Sequence, residues 1–142
     1  MQATGPSGYT PARALKSFVK RALKELDPHF AELSGAHRIL ELGRPYFDAK
    51  RSRPDPDNLA IKHLDGFPQV RALIASVHEA LGHEEPQWES ASVICRHYRS
   101  GASLTTHIDR PDLFTDRVYN VVLLNTSGSK LRFHAPEVPE WG

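Results

Sequence analysis

A histidine and an aspartate that could bind a metal ion lie two positions apart, at His107 and Asp109. The stretch from Ala102 to Asp109 alternates apolar and polar residues, which predicts a strand whose polar face carries both side chains. An imidazole and a carboxylate placed in this way can occupy two adjacent positions on one metal ion. Two histidines and one carboxylate form the facial triad that leaves positions open on Fe(II). An exposed polar strand face would also explain the pair, so its interpretation depends on the surrounding sequence.

A longer motif surrounds this pair. From Tyr98 to Asp109 the sequence reads Tyr-x-x-Gly-x-x-Leu-x-x-His-x-Asp, which resembles a segment of the 2-oxoglutarate- and Fe(II)-dependent oxygenases. It is most similar to the AlkB-type branch of that superfamily. The resemblance extends from Phe67 to Phe133, through an acid-containing loop, the β-branched run 118–124 and a short apolar segment. It implies a double-stranded β-helix, also called a jelly roll.

The resemblance assigns roles to individual residues. His107 and Asp109 would bind Fe(II), and Tyr98 would hydrogen-bond the co-substrate 2-oxoglutarate, although a half-buried strand tyrosine is an alternative role. Arg96 stands where AlkB-type proteins usually have asparagine, and its guanidinium could bind a carboxylate or be solvated. His134 is the only histidine after Asp109. It is therefore the candidate for a third iron ligand, with a surface histidine as the alternative.

The activity implied by the resemblance is oxidative decarboxylation of 2-oxoglutarate to succinate, coupled to hydroxylation of a substrate C–H bond. On an N-methyl group, hydroxylation leads to loss of formaldehyde and therefore to demethylation. The implied substrate is an alkylated or modified nucleic-acid base. A prolyl-hydroxylase-like enzyme acting on a peptide or small molecule is an alternative, because Arg117, Leu124-Asn125 and the Gly128-x-x-Leu131 spacing also resemble that group.

The sequence beyond Asp109 departs from the family. The sequence given ends at Gly142, and the late strand that carries the distal histidine and the oxoglutarate-binding arginines is not evident before it. We therefore expect the front part of a jelly roll, completed by a missing C-terminal segment or by a second chain. A degenerate or truncated oxygenase domain that acts as a binding or interaction module, not as an enzyme, is the alternative.

Composition limits the class of protein. Hydrophobic residues make up 39% of the 142 residues, and the net charge is +1. These values argue against intrinsic disorder and against a strongly basic nucleic-acid coat protein. No apolar run approaches the length of a membrane-spanning helix, so we expect no membrane partner. The single cysteine, Cys95, excludes an intrachain disulfide framework and is predicted to be a small core residue on a strand.

The expected location is a reducing intracellular compartment, the cytoplasm or the nucleus. Residues 1–24 contain no acid and several basic residues, which is compatible with an organelle presequence. The same stretch also has an apolar stripe at helical spacing. We favour an ordinary amphipathic helix that packs on a domain.

The order of the predicted elements indicates an α+β fold, with N-terminal helices packed on an antiparallel sheet. The family resemblance implies that this sheet is a partial jelly roll. One helix is expected from Pro11 to Asp27-Pro28, a short one near 29–33, and another over Phe67–Leu81, with Gly82 at its end. His78 and His83 are interpreted as a solvated helix end. Residues 37–42 fit either a strand or a helix end, and 51–58 are expected to form a loop. Strands are predicted at 91–98, 102–109, 118–124 and 130–133. We divide the chain into an N-terminal helical segment with a loop (1–58) and the front of the oxygenase core (59–142), within one structural domain.

Overall fold

A computed structural model describes residues 16–44, 59–99, 101–102, 117–126 and 128. Over these residues the chain is α+β, as the sequence predicts. Its elements, in chain order, are α1 (Lys16–Ala31), β1 (His37–Gly43), β2 (Leu59–Lys62), α2 (Pro68–Ala80) and β3 (Ser92–Tyr98). Short 3₁₀ turns precede α2 and β3. The predicted strands 102–109 and 130–133 lie outside the described residues, apart from Ala102, and closure of a jelly roll stays a prediction.

The described strands form one sheet in the order β2–β1–β3. β1 pairs with β3 in antiparallel register, with His37 opposite Tyr98, and with β2 in parallel register, with Ile39 opposite Leu59. The expectation of a purely antiparallel sheet is therefore wrong for this part of the chain. The parallel partner was not predicted, because β2 has four residues and directly follows a loop-like stretch rich in proline and charge.

Both helices contribute to the core on one face of the sheet. The core side chains come from α1, β1, α2 and the turn before α2, and include Leu26, Leu40, Leu42, Phe67 and Leu73. Leu40 and Leu42 have no exposed surface. Burial of a leucine side chain contributes roughly 1.5–3 kcal/mol. Apolar positions at helical spacing in α1 and α2 thus hold the helices against the central strand.

The observed ends of α2 agree with the prediction, whereas the C-terminal end of α1 does not. α2 begins at Pro68, and at its end the Gly82 N–H donates to the Glu79 carbonyl at 3.0 Å, with φ of Gly82 at +72°. α1 continues through Pro28 to Ala31, so the predicted end at Asp27-Pro28 and the separate short helix are wrong. Pro28 lies in the last turn, and the Phe30 side chain beyond it packs against the core. No helix in the described part of the chain has the length and hydropathy needed to cross a membrane.

Within residues 117–126, side chains alternate in exposure, but the predicted strand over 118–124 is not formed with the described strands. Three side chains of one parity are partly buried: Tyr119, Val121 and Leu123. Three of the other parity are 57–69% exposed: Val118, Val122 and Leu124. The exposure pattern has the period of a strand, although residues 118–124 pair with no strand in the described part of the chain.

Candidate functional site

The two faces of the β1–β3 pair have different surroundings. On the first face, Leu40 and Leu42 of β1 and Val93 and Cys95 of β3 pack with the helices. Because successive side chains of a strand point to opposite faces, the residues between them lie on the other face. We call this second face the helix-free face, because α1 and α2 lie on the other side of the sheet.

The helix-free face combines a buried centre with a polar end. Ile39 and Leu59 are 4% and 8% exposed, and the Glu41 side chain is fully buried. Polar side chains from both strands meet where β1 begins and β3 ends: His37, Arg96 and Tyr98. Hereafter these three residues are called the His37–Arg96–Tyr98 cluster.

The cluster is held by one hydrogen bond and one ring stack. Arg96 Nη1 lies 3.1 Å from His37 Nε2. A guanidinium can only donate, so His37 Nε2 accepts and its ring proton resides on Nδ1. The His37 and Tyr98 rings stack with centroids 4.3 Å apart and an interplanar angle of 23°. His37 therefore connects the two residues that the sequence analysis assigned to 2-oxoglutarate.

Electrostatics favour the same protonation state of His37. Burial lowers the pKa of His37 below its ordinary value of 6.5, and the positive charge of Arg96 lowers it further. Both causes oppose the imidazolium form. At neutral pH the ring is thus an uncharged acceptor for Arg96.

The chain turns immediately after the cluster. The Arg99 N–H donates to the Ala36 carbonyl at 2.8 Å, and the Ala102 N–H donates to the Arg99 carbonyl at 2.9 Å. The backbone φ of Gly101 is +85°, a conformation that residues other than glycine rarely adopt. The positive φ therefore explains why the Tyr-x-x-Gly motif has glycine at position 101.

The structure brings Arg96 and Tyr98, the two residues that the family resemblance assigns to the co-substrate, together on one face. The three predicted iron ligands, His107, Asp109 and His134, lie outside the described residues, so the metal site stays a prediction. Within the described residues, no group of three or more histidine, cysteine, aspartate or glutamate side chains is arranged to hold a metal ion.

Sequence reasoning missed His37 and Glu41. Residues 37–42 fit two kinds of element, and only a strand gives His37 and Glu41 the same face as Arg96. The contact between His37 and Arg96 joins residues 59 positions apart. It depends on the register of β1 with β3, for which the sequence carries no local signal.

A second cluster of polar rings lies at the end of α2. The His78 ring stacks on Tyr119 at 4.2 Å, and its Nδ1 donates to the Glu84 carbonyl at 2.7 Å. His83 Nδ1 lies 2.7 Å from the Tyr119 hydroxyl. His78 is 7% exposed, so the interpretation of this stretch as a solvated helix end is wrong for His78. The contacts attach residues 117–126 to α2.

Comparison of the chain with protein-family models, curated proteins and solved structures finds no match.

Proposed function

We propose that the chain is an AlkB-like, 2-oxoglutarate- and Fe(II)-dependent dioxygenase that hydroxylates or demethylates an alkylated or modified nucleic-acid base. The observation that carries the proposal is that Arg96 and Tyr98, the two residues expected to bind the co-substrate, share the helix-free face and converge on one histidine. The proposal combines this geometry with the motif that continues from Tyr98 to Asp109.

The chemistry of the cluster fits a carboxylate. Arg96 has five N–H donors in a planar fork, and the hydrogen bond to His37 uses one nitrogen of that fork. The remaining donors match the geometry of a carboxylate group. The Tyr98 hydroxyl is a further donor, on a side chain that is 37% exposed and therefore accessible. Burial of Ile39 and Leu59 beside the cluster gives the face an apolar neighbour.

The order of elements supports the same function. β3 carries the proposed co-substrate residues, and the turn at Gly101 leads from Tyr98 toward the segment that contains His107 and Asp109. In this proposal those two residues and His134 hold Fe(II), which supplies the activation of O₂ for C–H hydroxylation. Arg96 and Tyr98 orient 2-oxoglutarate, and the helices on the opposite face keep the sheet rigid.

The decisive experiment is an anaerobic calorimetric titration of the full chain with Fe(II), with and without 2-oxoglutarate. We expect 2-oxoglutarate to strengthen Fe(II) binding, and His107→Ala or Asp109→Ala to abolish it with little effect on folding. His63→Ala and Asp27→Ala are matched controls, because both side chains are exposed. They should bind Fe(II) as the wild-type chain does.

Two results would overturn the proposal. One is the absence of Fe(II) binding by the wild-type chain, which would favour the degenerate binding module. The other is unchanged Fe(II) binding in both site variants, which would remove His107 and Asp109 from the site. If binding is as expected, formaldehyde and succinate release from an oligonucleotide with an N-methylated base tests the substrate class, and a peptide-specific reaction would favour the prolyl-hydroxylase-like alternative.

A further inference from the structure

We propose that His37 is a positioning residue of the co-substrate site, whose neutral ring accepts a hydrogen bond from Arg96 and stacks on Tyr98 so that both side chains are oriented before a carboxylate binds. This inference rests on the proposed function. It adds a residue from the neighbouring strand that neither the motif nor the spacing identifies.

The hydrogen bond to His37 limits the conformational freedom of Arg96. An arginine side chain has several rotatable bonds, and ordering it on binding costs conformational entropy. The hydrogen bond from Arg96 Nη1 to His37 Nε2, at 3.1 Å, fixes one nitrogen of the guanidinium. The planar fork then has a defined orientation, and less entropy is lost when its other N–H groups bind a carboxylate.

The His37 ring also restrains Tyr98. This residue ends β3 and is directly opposite His37 in the antiparallel register. Its ring stacks on the His37 ring at 4.3 Å, although 37% of the residue is exposed. The stack restricts the ring of a side chain that is otherwise at the edge of the described sheet. One imidazole thus restrains both proposed co-substrate residues.

Two substitutions separate the two contacts of His37. His37→Phe retains a ring that can stack on Tyr98 but has no acceptor for Arg96. His37→Gln places an amide oxygen near the former Nε2 position and retains the acceptor. We expect the anaerobic dissociation constant for 2-oxoglutarate on the Fe(II)-loaded chain to rise about five- to tenfold in His37→Phe, which loses the hydrogen bond, and about two- to threefold in His37→Gln, which loses only the stack.

A double-mutant cycle distinguishes positioning from a general effect on structure. In an Arg96→Gln background, His37→Phe should weaken 2-oxoglutarate binding no further than about twofold. The inference is overturned if His37→Phe binds 2-oxoglutarate as tightly as the wild-type chain, if His37→Gln is as weak as His37→Phe, or if His37→Phe has the same effect in both backgrounds. Urea denaturation of each variant shows whether it is folded under the binding conditions.

A second readout needs no bound co-substrate. The ¹⁵N chemical shifts of the His37 ring report which nitrogen carries the proton, and we expect the Nδ1–H tautomer in the wild-type chain. Detection of the Nε2–H tautomer overturns the inference, because Arg96 then has no acceptor. If the wild-type chain binds no 2-oxoglutarate, the proposed function has failed, and the tautomer alone decides whether His37 positions Arg96.

Discussion

The two carboxylate oxygens of Glu25 in α1 accept one bifurcated hydrogen bond from the backbone N–H of Gln69 in α2, at 3.0 and 3.1 Å. The carboxylate also accepts one from the Val70 N–H at 3.0 Å. Gln69 and Val70 are in the first turn of α2, whose N–H groups have no partner within the helix. The N-cap residue Phe67 provides no side-chain cap. A carboxylate from another helix therefore fulfils the role of an N-cap and complements the positive end of the helix dipole.

Removal of this carboxylate should destabilise the chain. We expect Glu25→Ala to lower the free energy of unfolding by about 1–3 kcal/mol. The substitution removes a charged acceptor and leaves the part-buried N–H groups of Gln69 and Val70 without their acceptor. Glu25→Gln retains an acceptor oxygen and should cost less. Urea denaturation followed by circular dichroism measures both.

Asp27→Ala is the matched control for Glu25→Ala. Asp27 is an exposed acid in the same helix, and its removal should change the free energy of unfolding by less than about 0.5 kcal/mol. Equal effects of the Glu25 and Asp27 substitutions would contradict the capping role of Glu25.

Gly43 ends β1 in a conformation that excludes a side chain. Its φ is +83°, and a Cβ atom at this position would clash with the Ala91 carbonyl oxygen. That oxygen accepts the Arg44 N–H at 2.9 Å, so it is held in place. Gly43→Ala should therefore destabilise the chain by roughly 1–3 kcal/mol. Thermal or urea denaturation tests this expectation.

Gly66 provides the comparison for Gly43. A Cβ atom at Gly66 would meet no atom within 4 Å, and the residue has no positive φ. Gly66→Ala should leave the stability unchanged or raise it slightly, by reducing the entropy of the unfolded chain. A loss of stability for Gly66→Ala as large as that for Gly43→Ala would show that steric exclusion at Gly43 is not the cause.

The sequence predicted those elements whose pattern of residue types lies within one short stretch of the chain. Apolar residues at helical spacing located α2, and a strand-like run located β3. The contact of His37 with Arg96 was not predictable, because it depends on the pairing of strands far apart in sequence. β2 was missed because four residues carry too short a pattern. The proposed iron ligands His107, Asp109 and His134 lie outside the described residues and remain predictions.

Cys95 should be unreactive in the folded chain. It is on the helix-facing side of β3, and burial raises its pKa to about 12. The nucleophilic thiolate is therefore almost absent at neutral pH. We expect slow labelling by a thiol reagent in native buffer and complete labelling in denaturant. Rapid labelling of the native chain would contradict the packing of β3 against the helices.

Tyr119 should attach residues 117–126 to the end of α2. Tyr119→Phe retains the stack on His78 and loses the hydroxyl that lies 2.7 Å from His83 Nδ1. We expect loss of this hydrogen bond to lower the free energy of unfolding by about 0.5–1.5 kcal/mol. Tyr119→Ala also removes the ring and should cost more. Urea denaturation measures the cost, and backbone amide exchange over residues 117–126 should increase in the order wild type, Tyr119→Phe, Tyr119→Ala.

His37 should make the stability of the chain depend on pH. Its pKa in the folded chain is below 6.5, first because the ring is partly buried and second because of the charge of Arg96. The unfolded chain therefore binds the proton more readily. The associated stability is present above about pH 6.5 and is lost as the pH falls through the pKa of the folded chain.

Arg96→Gln tests the two causes separately. Removal of the guanidinium charge should raise the pKa of His37, but the value should stay below 6.5 because burial is the larger cause. NMR titration of the His37 ring measures both values. In parallel, His37→Gln should flatten the fall in the free energy of unfolding toward acid pH relative to the wild-type chain. A His37 ring that titrates at or above 6.5 in the wild-type chain would show that it is not the neutral acceptor of Arg96.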